Sequence, residues 1–574
     1  MTAPWYRRPT TLRLLLLLTL LTCVLGYAEK APCRDTRNWS NEFQYTHLCY
    51  SDVVALYGAE GLDQGDRPYL DAPVEYPVLI GAAMQGAAEV SRLAPATSVG
   101  GQDLGVALFG DATALLLILA AGVVVGCTAL TAGARPQDAL LVAVAPSLLL
   151  HAFTNWDLLA VAFASAGVLA WSRRAPALAG VLLGLGAATK FYPILFLVPL
   201  ALLCLRAGRL RTWARTAGWT LGTLVLVNLP VYLAAGYFTE NKVRGPGVVD
   251  VVRAGGGWGA ALAPHHSSGG GVATNALLRF LDLNKTRVAD WDSGAFGLQF
   301  VAASFSPNAF GPVHLIALGL VLVATLGGAW AVRRSRRALI SVAAGGLVAL
   351  VVVAVGLPRL LDWTREQGTL PVGGLNLVTG ALLVLALIGV GVLALGAPVR
   401  PRLPQLLFLT VVAFLLTNKV FSPQYVLWVL PLAALARPRW RPFLLWQAAE
   451  ALVLVTRYYY FAGSSSKDVA GLGLGWFVAA VAIRDLTLLL LAGLVIRDVL
   501  HPERDDVRAA TASGEDPAGG VLVNAEDRVR LGGPGGPGGP GGPGSPESPG
   551  DPGSRRSRRA RHTRGATEPA HVGA

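Results

Sequence analysis

Uninterrupted apolar blocks constrain this chain more than any other feature. Residues 312–332 and 374–396 are each long enough, as helix, to cross a hydrocarbon layer about 30 Å thick. Only helices or closed barrels satisfy their backbone groups in lipid, and the alternating apolar pattern of barrel strands is absent. Of the 574 residues 53% are hydrophobic and 14% charged, where a soluble domain carries about a quarter charged residues. The expected class is an all-α polytopic membrane protein.

The net charge of +13 reports topology. Arginines gather in short loops at Arg135, Arg173–Arg174, Arg206–Arg215, Arg333–Arg337, Arg400–Arg402 and Arg437–Arg441, which the positive-inside rule places in the cytoplasm. That argues against nucleic-acid binding and for a bacterial cytoplasmic membrane. The turns between them (154–157, 190–192, 237–311, 359–370, 418–423 and 461–469) then lie outside. The N-terminal run 14–26, preceded by Arg7, Arg8 and Arg13, resembles a signal peptide as much as a span; loop parity closes if it is kept as the first helix. About 13–14 spans follow, with residues 76–95 read as an interfacial helix because they contain Gln85, Glu89 and Arg92. The helices over 176–189 and 193–205 are short enough that they need only partly cross.

Residues 1–500 thus form the membrane domain, with outer loops at 27–76 and 237–311. Within the second, 254–271 is Gly-rich. Residues 501–574 read as a disordered cytoplasmic tail, containing the Gly-Gly-Pro tract 532–544 and the basic run Arg555–Arg564 beside membrane lipids. Cys33 and Cys49 flank a polar stretch placed outside, where a disulfide between them is worth about 3 kcal/mol. Cys23, Cys127 and Cys204 sit in apolar blocks as small core residues.

Only six of the 48 basic residues are lysine, all on the expected outer side. Lys190 and Lys419 end apolar helices, where a charge is costly unless it has a partner or a role; snorkelling to the interface is the plainer reading. Phosphate is the natural partner for cations there. The outer turns are polar and aromatic: His151-Ala-Phe-Thr-Asn155-Trp156-Asp157, Lys190-Phe191-Tyr192-Pro193 and Asn418-Lys419-Val-Phe-Ser422-Pro423-Gln424-Tyr425. Arg457 precedes Tyr458, Tyr459 and Tyr460. The first loop supplies Asp52, Asp63, Asp66, Asp71 and Glu75, any of which can serve as a general base by spacing alone. The stretch Asn284–Ser293 either shapes an acceptor site or is a structural loop. No metal-ligand cluster is visible, and His265-His266 reads as solvated.

Ser51-Asp52-Val-Val-Ala-Leu-Tyr57, Glu75-Tyr76-Pro77-Val-Leu79, Asn155-Trp156-Asp157-Leu158, the run Leu178–Gly186 leading into Lys190-Phe-Tyr-Pro193, and Ser422-Pro-Gln424-Tyr425 occur in that order on one expected side. In this the chain resembles the polyprenyl-phosphate-mannose-dependent mannosyltransferases of glycosyltransferase family 87, members of the GT-C superfold, over roughly residues 10–500. It departs at Val78, where the family more often has a second proline, and at 254–271. The resemblance implies a GT-C bundle and an inverting transfer of a hexose, mannose first, from a polyprenyl-phosphate donor to a lipid or glycan acceptor on the outer face, without cofactor or metal. It implies Asp52 as general base. Lys190, Lys419 and Arg457 become candidates for the donor phosphate, and Tyr76, Asn155, Asp157, Tyr192, Gln424 and Tyr425 for substrate binding. A transporter or flippase is the rival class, and an inactive scaffolding relative a third. Against a transporter, no inverted repeat is visible and the polar residues gather at one face.

Overall fold

The computed structural model describes residues 7–93, 104–238, 244–255, 265–266, 272–304, 372–511 and 514–531. The block 312–332, Arg333–Arg337, the turn 359–370, most of 254–271 and the tail from 532 onward lie outside the described residues. What is described is helical, with turns and loops, apart from a short antiparallel sheet between residues 237 and 275, in which Phe238 pairs with Arg244 on one side and Thr274 on the other.

Helices of eight residues or more run in order α1 (Arg7–Lys30), α2 (Asp52–Ala59), α3 (Val78–Ser91), α4 (Leu104–Thr131), α5 (Asp157–Ser172), α6 (Pro176–Thr189), α7 (Leu197–Arg206), α8 (Leu210–Ala234), α9 (Arg279–Thr286), α10 (Gly294–Ser304), α11 (Val372–Gly396), α12 (Leu403–Thr417), α13 (Val426–Ala436), α14 (Trp440–Ser465) and α15 (Leu474–Leu500). Of these, α1, α4, α8, α11 and α15 are long and apolar enough to cross a membrane. Their outward faces are apolar: Leu119 on α4, Leu226 on α8, Leu377 on α11 and Leu486 on α15 are all more than half exposed. Such surface is stable only against lipid, so the chain is a helical membrane protein. The segments α3, α5, α6 and α12 are shorter; at 1.5 Å per residue the 14 residues of α3 reach about 21 Å, less than a hydrocarbon core. One side of α3 is buried through Ile80, Met84 and Ala88, while Glu89 and Arg92 pair on the exposed side.

Close helix approach relies on small residues, as in other membrane bundles. A Cβ on Gly180 or Gly184 of α6 would stand 2.4 Å or 2.6 Å from the carbonyl oxygens of Thr216 and Thr220 on α8. On α1, a Cβ at Gly26 would stand 2.3 Å from the Leu149 carbonyl oxygen, and Thr22 donates to Ala143 O at 2.8 Å. The first helix is packed into the bundle along its length, with Cys23 fully buried.

The expectation of disorder from residue 501 requires correction. Residues 501–511 and 514–531 fold back against the basic loops, and their carboxylates pair with arginines from several of them: Asp505 with Arg402, Asp506 with Arg439, and Asp527 with both Arg206 and Arg400. Composition misleads here because the apolar residues are few and scattered; the segment is held by charge pairing together with a few buried apolar anchors, Val507, Ala518 and Leu522.

Candidate functional site

The site is assembled at the ends of helices that carry the basic loops at their other ends. Ser51 caps α2: its hydroxyl accepts from Val53 N at 3.2 Å and donates to Phe153 O at 2.6 Å. Next to it, Asp52 N donates to Thr154 O at 2.9 Å. The loop 27–76 is thereby tied to the turn before α5, and Asp52 and Asp157 both stand in the first turn of a helix, where the dipole favours a carboxylate.

Asn155 is the hinge of this arrangement. Its fully buried amide donates from Nδ2 to Asp52 Oδ2 at 2.8 Å and to Tyr76 Oη at 2.7 Å, while its Oδ1 accepts from Trp156 N at 2.7 Å. The carboxylate of Asp52 is thus held in one orientation by a neutral donor. Burial and the charge of Asp52 hold the phenols of Tyr50 and Tyr76 above their ordinary range, keeping both protonated.

Asp52 lines a cavity of about 370 Å³. Facing it are Arg457 of α14, Arg287 and Asp290 from the second outer loop, and Ser422 and Gln424 from the turn before α13. Tyr45, Tyr50, Phe461 and Trp291 supply aromatic wall; Tyr45 packs on Phe461 at 5.6 Å, and Phe461 edge-on to Trp291 at 5.9 Å. Arg457 forms an ion pair with Asp292 at 2.9 Å and lies over the Phe461 ring at 4.9 Å. Burial pushes the carboxyl of Asp292 up to about 6, against the opposing pull of Arg457.

The 287–293 segment is pinned from beneath. Lys419 Nζ donates to Arg287 O at 2.6 Å, Asp290 N donates to Lys419 O at 2.8 Å, and Arg484 donates to Asp292 O at 2.5 Å. Arg287 itself is exposed, with no carboxylate partner among the described residues.

The residues expected at the site fall into three groups. Asp52, Gln424 and Arg457 line the cavity. Asn155 and Tyr76 stand behind Asp52 and orient it. The rest form a support: Lys190 pairs with Asp157 at 2.9 Å, Trp428 Nε1 donates to the other oxygen of Asp157 at 2.7 Å, and the rings of Tyr192 and Tyr425 stack on Trp428 at 4.3 and 4.0 Å. Lys190 also stands 5.1 Å from the ring of Tyr76. The charge of Lys190 is therefore answered within the protein, and the ammonium of Lys419 is spent on a backbone carbonyl.

Among the five first-loop carboxylates only Asp52 reaches the cavity; Asp63 and Glu75 are exposed elsewhere, and Asp71 is paired with Arg67 at 2.6 Å. Cys33 and Cys49 form a disulfide that closes the loop carrying Tyr45. Arg287, Tyr45 and Phe461 were not singled out from sequence. Arg287 lies inside the Asn284–Ser293 stretch, which was a usable signal; the two rings carry none. No family model matches this chain, and no curated protein matches it in sequence.

Proposed function

We propose that the protein is a membrane glycosyltransferase that moves a hexose, mannose first among candidates, from a polyprenyl-phosphate donor to a lipid or glycan acceptor on the outer face of a bacterial cytoplasmic membrane, by a GT-C-like mechanism akin to that of glycosyltransferase family 87. The observation that carries this reading is Asp52: a carboxylate oriented by Asn155 on the wall of a cavity that also presents Arg457 and Arg287. The same wall meets the two requirements of the reaction, a base for the acceptor and cations for the leaving group.

In this mechanism the acceptor hydroxyl oxygen attacks the anomeric carbon as the bond from that carbon to the donor phosphate oxygen breaks. The hydroxyl proton passes to Asp52, and the polyprenyl phosphate departs with the bonding pair. One displacement inverts the anomeric centre. Arg457 and Arg287 stabilise the charge growing on the phosphate, and the leaving group needs no proton. The supporting aspartate–lysine–tryptophan unit keeps the turns rigid enough for the geometry to persist.

Mannosyl transfer from polyprenyl-phosphate mannose, measured in membranes containing wild type or Asp52→Asn at matched protein level, tests the reading. Loss of transfer in the variant supports it. Transfer that survives the substitution removes Asp52 as the base, and absence of transfer in wild type across lipid-linked hexoses removes the enzyme class.

A further inference from the structure

At the basic-loop end of the bundle a second cavity, of about 320 Å³, opens between the ends of α1, α4 and α5. Its walls are largely apolar, with Pro9 and Leu12 of α1, Leu130 of α4, and Pro136 and Pro517 from the adjoining segments. The one charged side chain among its lining residues is Arg173.

The described arginines of the basic face divide into those paired with a carboxylate and those that are not. Arg135, Arg206, Arg400, Arg402, Arg437 and Arg439 each have a carboxylate partner. Arg173 and Arg174 are exposed and have none among the described residues; the Arg173 guanidinium reaches only Leu130 O, at 3.5 Å. Arg174 holds the left-handed conformation, φ 61°, as the residue that ends α5. Glycine takes that position without steric cost, so keeping arginine there is a departure from what the turn alone favours. The result is one guanidinium without a carboxylate partner, Arg173, on the wall of an apolar pocket, with exposed Arg174 next to it in the chain.

We propose that this cavity binds one anionic glycerophospholipid, with its phosphate on Arg173 and an acyl chain against Leu12 and Leu130. The basic loops mark the depth of the inner-leaflet headgroups, which carry negative charge. The apolar lining selects a lipid over a free phosphate, which would shed its water for a wall that offers nothing in return. Zwitterionic headgroups offset their own phosphate and gain less. This site is independent of the chemistry at Asp52, at the other end of the same helices.

The test uses the full chain in mild detergent, with retained lipid read by native mass spectrometry after adding phosphatidylglycerol or phosphatidylcholine. Wild type should keep one phosphatidylglycerol per chain in preference to phosphatidylcholine. Arg173→Gln should weaken that retention about tenfold, the loss of one charge-assisted contact. Leu12→Trp, which fills the pocket and leaves the charge, should weaken it as well, while Arg441→Ala, removing an exposed arginine from another basic loop, should not. Equal loss with Arg441→Ala would show diffuse surface attraction and overturn the proposal. Displacement of the lipid by millimolar glycerol phosphate would overturn it too, since the site would then read phosphate alone.

Discussion

The two ends of this helical bundle treat charge in opposite ways. At the basic-loop end, the buried guanidinium groups of Arg206 and Arg402 are fully answered. Arg206, 0% exposed, donates to Asp527 and to the carbonyls of Ala394 and Ala397, the last turn of α11 and the residue beyond it. Arg402 does the same with Asp505 and the carbonyls of Leu435 and Ala436 at the end of α13. Each guanidinium thus satisfies both an ion pair and helix-end carbonyls that have no partner within their own helix. At the opposite end Asp52 is held by a neutral amide and Arg287 by nothing charged, and both face open volume. Charges matched within the protein build the fold, and charges left facing a cavity are available to a ligand.

The widest separation between the two ends is expected from substituting one carboxylate at each. Asp52→Asn should lower transfer by about 10²–10⁴, the usual contribution of a general base, with the melting temperature in detergent unchanged. Asp505→Ala should do the reverse. It leaves Arg402 buried without its ion-pair partner, at a cost of about 3–5 kcal/mol, read as a lost or sharply lowered melting transition. The double variant Asp505→Leu with Arg402→Met should be less destabilised than the single one, because the buried guanidinium is removed along with its partner. Asp506→Asn, which breaks the more exposed pair with Arg439, should cost under about 1 kcal/mol. Were Asp52→Asn to unfold the protein, or Asp505→Ala to leave it stable, the division of labour between the two ends would fail.

Much of the first end was legible in the sequence and little of the second. Arginine in short loops is a strong topological signal, and short motifs placed Asp52, Asn155 and Gln424 on one side. They could not say which expected residues face the cavity. Lys190 and Asp157 both belong to recognisable turns, yet their mutual pairing, 33 residues apart in the chain, is a property of how α5 and α6 pack. Arg287 reaches the cavity because Lys419 and Asp290 pin the loop from α12, a contact across 132 residues that no local pattern encodes. The folded 501–531 segment was missed for a related reason. Its aspartates are spaced without period, and their arginines come from three loops far away in the chain.

A smaller effect sharpens the difference between holding a charge and orienting one. Asn155→Ala removes the donor that fixes Asp52 and leaves the base in place. Transfer should fall by about 10–100-fold through the turnover number, with the apparent affinity for donor little changed, as misplacement of a catalytic group predicts. Asn155→Asp would set a second carboxylate against Asp52 and should be worse than alanine. If alanine has no effect, Asp52 is oriented by its helix and backbone contacts alone.

Asp292 stands between the two regimes, being paired with Arg457 but wholly buried, and its titration decides which regime it belongs to. Its folded value, about 6 against 3.8 for the free side chain, means the folded state binds the proton more tightly than the unfolded chain. Stability contributed by this group is therefore full below about pH 4 and lost as pH rises through about 6. Comparing thermal melting of wild type and Asp292→Asn from pH 4.5 to 7 should show wild type losing about 2 kcal/mol relative to the variant. The same ionisation gives Arg457 its counter-charge, so donor phosphate should bind more tightly at the acid end of that range in wild type and not in the variant. Parallel melting curves would show that Asp292 keeps one protonation state across the range and would leave Arg457 matched at every pH.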